Sequence, residues 1–260
     1  MLVAEGITVS LSGRRVLEGV DLTARPGEVT AIVGPNGSGK TTLLKALSGD
    51  LPMSGAATLN GIAIAKAPVW KMAALRAVLA QQITVSFPFT VLEVVRLGLT
   101  ASAGRETDPR QALARVGLAG YEARPYPHLS GGEQARVHLA RVLVQLGAPV
   151  GPDGPRWLFL DEPVAALDIG HQLQVMQLAH DFARAGGGVL AVMHDLNLTA
   201  RFARSVALLA GGRLVAQGGV DAVLRDDTLS AAYRCPIRLN RAPESGRWYL
   251  PQMAGALDAH

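Results

Sequence analysis

A glycine-rich segment near the start of the chain has the residue types and spacing of a phosphate-binding loop. It satisfies the pattern G-x-x-x-x-G-K-[ST] and continues for one residue, over Gly34, Pro35, Asn36, Gly37, Ser38, Gly39, Lys40, Thr41 and Thr42. Glycines allow backbone amides to turn toward one centre, where they and the N-terminus of the next helix bind phosphate oxygens. The pattern also places the Lys40 ammonium at the β- and γ-phosphates and the Thr41 hydroxyl on Mg²⁺. The alternative is a glycine-rich turn that Thr41 caps.

Two adjacent carboxylates follow a short apolar run. Residues 157–160 read Trp-Leu-Phe-Leu, and Asp161 and Glu162 come directly after them. Enzymes with a phosphate-binding loop use an acidic residue at this position to hold Mg²⁺, so Asp161 is the candidate Mg²⁺ ligand. Glu162 is one residue further on, placed to polarise a water for attack on the γ-phosphate. The alternative is a strand that ends in an acidic turn.

A third segment combines a helix cap with two glycines. It consists of Leu129, Ser130, Gly131, Gly132, Glu133 and Gln134, and it precedes a helix predicted over residues 134–146. A serine before a helix accepts a hydrogen bond from the first amides, and glycines leave the other amides open to an anion. Taken alone, the segment is either an anion-accepting site or only a helix cap.

These six residues match, letter for letter, the LSGGQ-type signature of ATP-binding cassette proteins in its LSGGEQ form. The phosphate-loop pattern precedes the signature and the pair Asp161–Glu162 follows it, which is the order of that family. The chain therefore resembles the ATP-binding cassette family over most of its length. The resemblance implies that the chain binds ATP with Mg²⁺ and hydrolyses it.

The resemblance also implies roles for residues outside the three motifs. Gln81 resembles the glutamine of the Q-loop, although the adjacent Gln82 could be the residue that aligns with it. Asp168 resembles the aspartate of the D-loop Ala166-Leu167-Asp168. His194, in the sequence Met193-His194-Asp195, resembles the switch histidine. The family pattern then implies catalysis by Glu162, His194 and Gln81, and ligation of Mg²⁺ by Thr41, Gln81 and Asp161.

The chain departs from the family pattern near its N-terminus. The family usually has an aromatic residue there that stacks on adenine, whereas the aligned residue here is Leu11. We expect apolar contact from Leu11 or Val16 to replace stacking. The D-loop also lacks its usual serine, because Ala165 and Ala166 occupy that region.

The elements that must position these residues alternate between strands and helices. Period-two patterns and compact apolar runs predict strands at 2–8, 20–23, 28–33, 157–160, 188–193 and 205–209, with a hairpin over 57–64. Helical spacing predicts helices at 42–47, 92–97, 109–116, 134–146, 170–185 and 196–204. Composition predicts a loop over 147–155 and a last hairpin that pairs 237–239 with 247–250. This order predicts an α/β protein with a parallel sheet and crossover helices.

The family resemblance refines this fold class. It implies a P-loop NTPase with a RecA-like core, an N-terminal antiparallel β subdomain and an inserted α-helical subdomain. We expect one cassette domain over residues 1–260. Within it, 1–82 and 147–240 form the ATP-binding core and β subdomain, 83–146 the helical subdomain with the signature, and 241–260 a C-terminal hairpin and tail.

Composition excludes several classes of protein. The chain has 260 residues, of which 49% are hydrophobic, which is enough for a folded core and argues against a disordered chain. The net charge of +4 is scattered without a Lys/Arg block, so we expect no nucleic-acid partner. One cysteine, Cys235, excludes an intramolecular disulfide and a cysteine-based zinc site. No run approaches a membrane span, and the N-terminus lacks a signal-peptide pattern, so we expect a cytosolic location.

The resemblance implies partners for the chain. Cassettes of this family work as head-to-tail pairs, so the signature of one copy would act on the nucleotide of the other. Transport then needs two separate integral membrane permease subunits, and we expect the chain at the cytoplasmic face of the bacterial inner membrane. The segment Phe87-Pro88-Phe89-Thr90-Val91 resembles the part of importer cassettes that meets the membrane subunit, or is core beneath the helical lobe.

Three short segments resemble the importers of iron-siderophores, haem and cobalamin, which also use a periplasmic substrate-binding protein. They are residues 87–91, 167–172 and 194–197. The Pro/Gly-rich insertion before Trp157 and the tail over 246–251 resemble the haem-importing ATPases in particular. A ferric-siderophore or cobalamin importer is the alternative, and a DNA-repair or chromosome-maintenance ATPase is a more distant one. We expect no direct contact with the transported molecule, with the histidines at 128, 138, 171 and 180 serving as surface residues or caps.

Overall fold

The computed structural model describes residues 1–81, 87–101, 107–165, 167–242 and 245–247. Its main sheet has the order β12 (Arg213–Gly219), β11 (Ser205–Ala210), β3 (Val29–Val33), β10 (Gly188–Val192), β9 (Trp157–Asp161) and β6 (Arg76–Leu79). Five of these strands are parallel, and β12 runs antiparallel to β11 at one edge. Every residue of β3, β9 and β10 is buried, as expected for strands covered on both faces. The expectation of an α/β fold is confirmed.

A second, antiparallel sheet carries the N-terminus. Its order is β2 (Arg14–Ala24), β1 (Leu2–Leu11), β4 (Ser54–Leu59) and β5 (Ile62–Ala63). Strands β1 and β2 are longer than predicted because a two-residue turn joins them. In that turn Ser12 and Gly13 have φ of 48° and 77°, the left-handed conformation that suits the twist of a tight hairpin. The predicted hairpin over 57–64 is confirmed.

Nine α-helices lie in the described part of the chain. They are α1 (Lys40–Ser48), α2 (Val69–Leu75), α3 (Val91–Arg96), α4 (Pro109–Arg115), α5 (Gly131–Leu146), α6 (Ile169–Arg184), α7 (Leu196–Phe202), α8 (Val220–Val223) and α9 (Asp226–Tyr233). Helices α3 and α4 pack on α5 and form a helical lobe, which was predicted. Helix α5 begins three residues earlier than predicted, because Ser130 caps it and both glycines of the signature become helical. None of the helices in the described ranges is long and apolar enough to cross a membrane.

The strand order brings the chemical residues to one edge of the sheet. The phosphate loop follows β3, His194 follows β10, Glu162 follows β9, and Gln81 follows β6. These four strands are consecutive neighbours and parallel. The carboxyl ends of parallel strands meet at one edge, which is where α/β proteins place their ligands.

Two predictions of local structure are wrong. Residues 147–155 are not only loop, because β7 (Val150–Gly151) and β8 (Gly154–Pro155) form a small hairpin in which Gly154 has a φ of 97°. Residues 237–239 form no strand. Instead, Ile237 donates its N–H to Ser230 Oγ at 2.9 Å, and Leu239 donates its N–H to Asp226 Oδ1 at 2.8 Å, so this segment is held by α9. Residues 248–250, predicted as the other arm, lie outside the described residues, as do 251–260 of the tail.

The stability of the protein is expected to fall as the pH is lowered from about 6.5 toward 4. His138 in α5 is buried, and burial lowers its pKa from 6.5 to about 4, with repulsion from Arg141 acting in the same direction. Between these values the unfolded chain binds a proton that the folded chain does not, so protonation favours unfolding. The loss is at most about 3 kcal/mol. Urea unfolding across this pH range measures it, and His138→Gln, which cannot titrate, should flatten this part of the profile. An unchanged profile in that variant would contradict the assignment.

Candidate nucleotide-binding site

The glycine-rich loop turns sharply between β3 and α1. Gly34 has a φ of 147°, and a Cβ there would lie 1.9 Å from the carbonyl oxygen of Leu209, so this position requires glycine. Gly39 is the N-cap of α1 with a φ of 99°. Because glycine has no side chain to accept the first amides of α1, those amides remain donors for an anion.

The Lys40 side chain runs back along the loop. Its Nζ donates to the carbonyl oxygens of Gly34 at 2.9 Å and Pro35 at 3.0 Å, and the residue is buried. Burial lowers the pKa of Lys40, while the carboxylates of Glu162 and Asp161 act to raise it. The ammonium is thus held beside the loop's amides, where a phosphate anion would gain both partners.

Thr41 and Asp161 are in direct contact beside the phosphate loop. The Thr41 hydroxyl donates to Asp161 Oδ1 at 2.9 Å. Asp161 is buried, which raises its pKa, and the hydrogen bond from Thr41 partly opposes that shift. Two hard oxygen donors beside a phosphate loop, one of them a buried carboxylate, are the chemistry that Mg²⁺ prefers, so these residues fit the ion.

Glu162 is held between two side chains from other strands. Its Oε2 accepts from Gln81 Nε2 at 2.7 Å, and its Oε1 lies 2.5 Å from His194 Nε2. The backbone of Glu162 is left-handed, with a φ of 51°, and its N–H donates to the carbonyl of Val192 at 3.2 Å. A non-glycine residue in this conformation is strained, and such strain clusters at functional sites. The three residues predicted as catalytic therefore meet at one carboxylate.

These groups line one cavity of about 570 Å³. Its walls are Val16, Asn36, Gly37, Gly39, Lys40, Thr41, Thr42, Gln81, Glu162 and His194. Of the two candidates for adenine contact, Val16 lines the cavity and Leu11 does not. Gln81 lies within the described residues and lines the cavity, whereas Gln82 lies outside the described residues. Which of the two is the Q-loop glutamine therefore stays a prediction.

The signature residues lie apart from this cavity, at the N-terminus of α5. Ser130 Oγ accepts from the Glu133 N–H at 3.3 Å, and Glu133 Oε2 accepts from the Ser130 N–H at 2.8 Å, which is a reciprocal capping box. Hydrogen bonds from Ser130 lower the pKa of Glu133. The cap reading of this segment is correct, and its role toward a second nucleotide stays a prediction.

The D-loop aspartate caps α6. Asp168 Oδ1 accepts from the N–H of His171 at 3.0 Å, and its Oδ2 lies 2.7 Å from His171 Nδ1. These contacts lower the pKa of Asp168. Ala166 of the same loop lies outside the described residues. His171 therefore serves in a cap, as predicted, whereas His138 is neither a surface residue nor a cap.

Gly212, in the turn between β11 and β12, is a positioning residue that the sequence analysis did not identify. Gly212 donates its N–H to the Ser38 carbonyl at 3.2 Å and accepts from the Glu18 N–H at 2.9 Å. Its φ is 78°, and a Cβ there would lie 2.4 Å from the Val16 carbonyl. The hairpin β11–β12 thus supports both the phosphate loop and Val16. The adjacent glycines Gly211 and Gly212 indicate a turn in the sequence, but nothing in the sequence indicates which residues the turn contacts.

The ABC transporter family model matches residues 17–165, which contain the phosphate loop, the signature and the acidic pair. The chain belongs to the ABC transporter family. It is 56% identical over 257 residues to the hemin import ATP-binding protein HmuV of Jannaschia sp. (strain CCS1), covering 98% of this chain and 95% of that protein. It is 52% identical over 260 residues to the protein of the same name from Rhizobium meliloti (strain 1021), covering 98% and 99%.

Solved structures of ABC cassettes share the fold. An ATP-binding subunit of an ABC transporter aligns with a TM-score of 0.76 at 24% identity, covering 90% of this chain and 96% of that one. The dimeric cassette MJ0796 in a post-hydrolysis state, bound to ADP and Pi, aligns with a TM-score of 0.72 at 23% identity, covering 85% and 99%. At this identity the likeness concerns the fold, and it confirms the ABC nucleotide-binding domain as the fold class.

Proposed function

We propose that the chain is the ATP-hydrolysing subunit of a bacterial ABC importer for hemin. One observation supports the ATP-hydrolysing activity. The Glu162 carboxylate is held by Gln81 and His194 in the cavity that the phosphate loop lines. The choice of hemin is supported by whole-length relatives named as hemin import ATP-binding proteins, the first of them 56% identical. It agrees with the resemblance noted in the sequence.

Each described side chain then has a chemical task. The loop amides and Lys40 bind the β- and γ-phosphates. Glu162 takes a proton from the attacking water, with His194 and Gln81 orienting the carboxylate. Thr41 and Asp161, with Gln81, would hold Mg²⁺, which when bound neutralises charge that develops on the phosphate oxygens. Val16 supplies apolar contact to the adenine.

The working unit of this proposal is a head-to-tail pair of chains. The signature residues, led by Ser130 and Gly132, would reach the ATP held by the phosphate loop of the partner subunit. Their position in the helical lobe, away from their own chain's cavity, supports this arrangement. Closure of the pair would exclude water from the site and complete the charge clamp around the γ-phosphate.

The helical lobe offers a surface for the membrane subunits. The docking segment, residues 87–91, carries Phe87 with 67% of its surface exposed, while Phe89 is partly buried against the core. Phe89 thus fixes the segment to the core, while Phe87 presents an exposed apolar surface to which a partner protein could bind. The complete importer would contain two cassettes, two integral membrane permeases and a periplasmic binding protein, with the cassettes on the cytoplasmic face of the inner membrane.

Substrate-dependent ATP hydrolysis in lipid tests this proposal. The chain is co-purified with its membrane partners, reconstituted with the cognate binding protein, and assayed with hemin, a ferric siderophore and cobalamin. We expect hemin alone to stimulate hydrolysis. Complexes that carry Glu162→Gln control for hydrolysis by contaminants. Stimulation by one of the other ligands would retain the importer and contradict the choice of hemin, whereas an inactive wild-type complex would contradict the ATPase role.

A further inference from the structure

A network of buried and half-buried polar groups links Tyr126 and His138 to the signature residues Gln134 and Leu129. Tyr126 and His138 are only 3% and 5% exposed. The Tyr126 hydroxyl lies 2.8 Å from His138 Nε2 and 3.3 Å from Gln134 Oε1. The amide of Gln134 in turn donates from Nε2 to the carbonyl of Leu129 at 3.2 Å. Gln134 and His138 are four residues apart on α5, so they share one face of the helix.

The hydrogen bonds of this polar network have one favoured direction. Among the described residues, His138 Nδ1 is buried without a hydrogen-bond partner. An unpaired buried N–H costs more than an unpaired lone pair, so the proton belongs on Nε2. His138 therefore donates to the Tyr126 oxygen, the Tyr126 hydroxyl donates to Gln134, and Gln134 donates to Leu129. Burial, which lowers the pKa of His138 to about 4, keeps the ring neutral in this arrangement.

The backbone of the same tyrosine is bonded to the docking segment. Tyr126 donates its N–H to the carbonyl of Phe89 at 2.8 Å, and Val91 donates its N–H to the carbonyl of Arg124 at 2.9 Å. Thr90 and Pro125 form an antiparallel bridge between these two bonds. Residues 89–91 and 124–126 are thus paired like two strands, and the second one leads into Leu129 three residues later.

We propose that Tyr126 is a positioning residue for the signature motif, fixing Leu129 and Gln134 through its hydroxyl while its backbone is tied to the docking segment. The inference rests on the proposed function, because it concerns the signature acting on the ATP of the partner subunit. It predicts that the hydroxyl matters for closure of the pair and not for binding of ATP to its own phosphate loop.

ATP-driven dimerisation of the isolated chain tests the proposal. The parent protein carries Glu162→Gln so that bound ATP persists, and dimerisation is followed by analytical ultracentrifugation. We expect Tyr126→Phe to weaken dimerisation about 5- to 100-fold, since each dimer loses two Tyr126 hydroxyls and the loss of each contributes a factor of about 2–10. The dissociation constant of ATP for the monomer should stay within about twofold, because the cavity is unchanged.

Matched variants separate positioning from general stability. Thr107→Val removes a hydroxyl that donates to the Val144 carbonyl at 3.1 Å, near the other end of α5, and should leave dimerisation unchanged. His138→Gln keeps an N–H donor opposite Tyr126 and should preserve dimerisation, whereas His138→Leu should weaken it as Tyr126→Phe does. This second pair of variants decides the question if Tyr126→Phe does not fold.

The outcomes distinguish the inference from the proposed function. If the parent itself fails to dimerise with ATP, the paired-cassette function is contradicted. If the parent dimerises and Tyr126→Phe dimerises equally well, the positioning role is contradicted. Parallel loss of dimerisation, ATP binding and melting temperature in both Tyr126→Phe and His138→Leu would assign these residues to the core alone and would also overturn the proposal.

Discussion

Replacing Glu162 with glutamine is expected to lower ATP turnover about 10²–10⁴-fold, the range for loss of a general base. The amide keeps the size of the side chain but cannot accept a proton from water. Glu162 is hydrogen-bonded on both carboxylate oxygens, to Gln81 at 2.7 Å and to His194 at 2.5 Å, so its carboxylate is held in one orientation for this role. Phosphate release under saturating ATP measures the effect.

The same variant should still bind ATP, because the loop amides and Lys40 are untouched. Nucleotide affinity is therefore expected within about twofold of the wild type, as for removal of an interaction made only in the transition state. Glu5→Gln, an exposed carboxylate of the antiparallel sheet, is the matched control and should hydrolyse ATP normally. Turnover of Glu162→Gln near the wild-type value would remove Glu162 from the role of base.

Lys40→Ala is expected to lower kcat/KM for ATP about 10²–10³-fold. The change removes a cation that makes charge-assisted hydrogen bonds, each of which contributes about 1.5–3 kcal/mol when the partner is charged. In the structure the ammonium is already held beside the phosphate loop by the carbonyls of Gly34 and Pro35, so little reorganisation precedes binding. Initial rates over a range of ATP concentrations give kcat and KM separately.

The control for charge is Lys66→Ala, because Lys66 is an exposed lysine outside the cavity. It should leave both kinetic constants unchanged. Lys40→Arg is a stricter comparison, since it keeps the charge but replaces a compact ammonium with a planar fork that fits a point-charge position poorly. Full activity in Lys40→Arg together with loss in Lys40→Ala would show that charge alone is required. Equal activity of Lys40→Ala and wild type would contradict the assignment of Lys40.

The candidate site residues could be predicted from the sequence because each motif lies within one short segment. The phosphate loop needs glycines at fixed offsets from Lys40, and the acidic pair follows directly from the end of a buried strand. The cap at Ser130 likewise depends on a partner three residues away, Glu133, so its capping box follows from the spacing alone. Interactions within a single loop or helix turn are encoded by spacing, and the family resemblance then extended the site predictions to Gln81 and His194.

Short elements were harder to predict because they lack a pattern of their own. Strand β6 has only four residues and was not predicted, yet it is an edge strand of the main sheet and Gln81 follows it closely. The hairpin of β7 and β8 has two residues in each strand, and its composition resembled a loop. Segments of this length are stabilised by their neighbours and not by their own periodicity.

By itself, the sequence determined the α/β class, the order of the motifs, the candidate nucleotide-binding residues and the family. Only the tertiary structure decided that Gln81, Glu162 and His194 meet, because that depends on the strand order β6-β9-β10, which brings together residues 81 and 32 positions apart in the chain. It also decided that Val16 and not Leu11 lines the cavity, and that Tyr126 joins the docking segment to the signature. The physical reason is the same in each case: these contacts form between elements distant in the chain, through packing and strand pairing that local spacing does not encode.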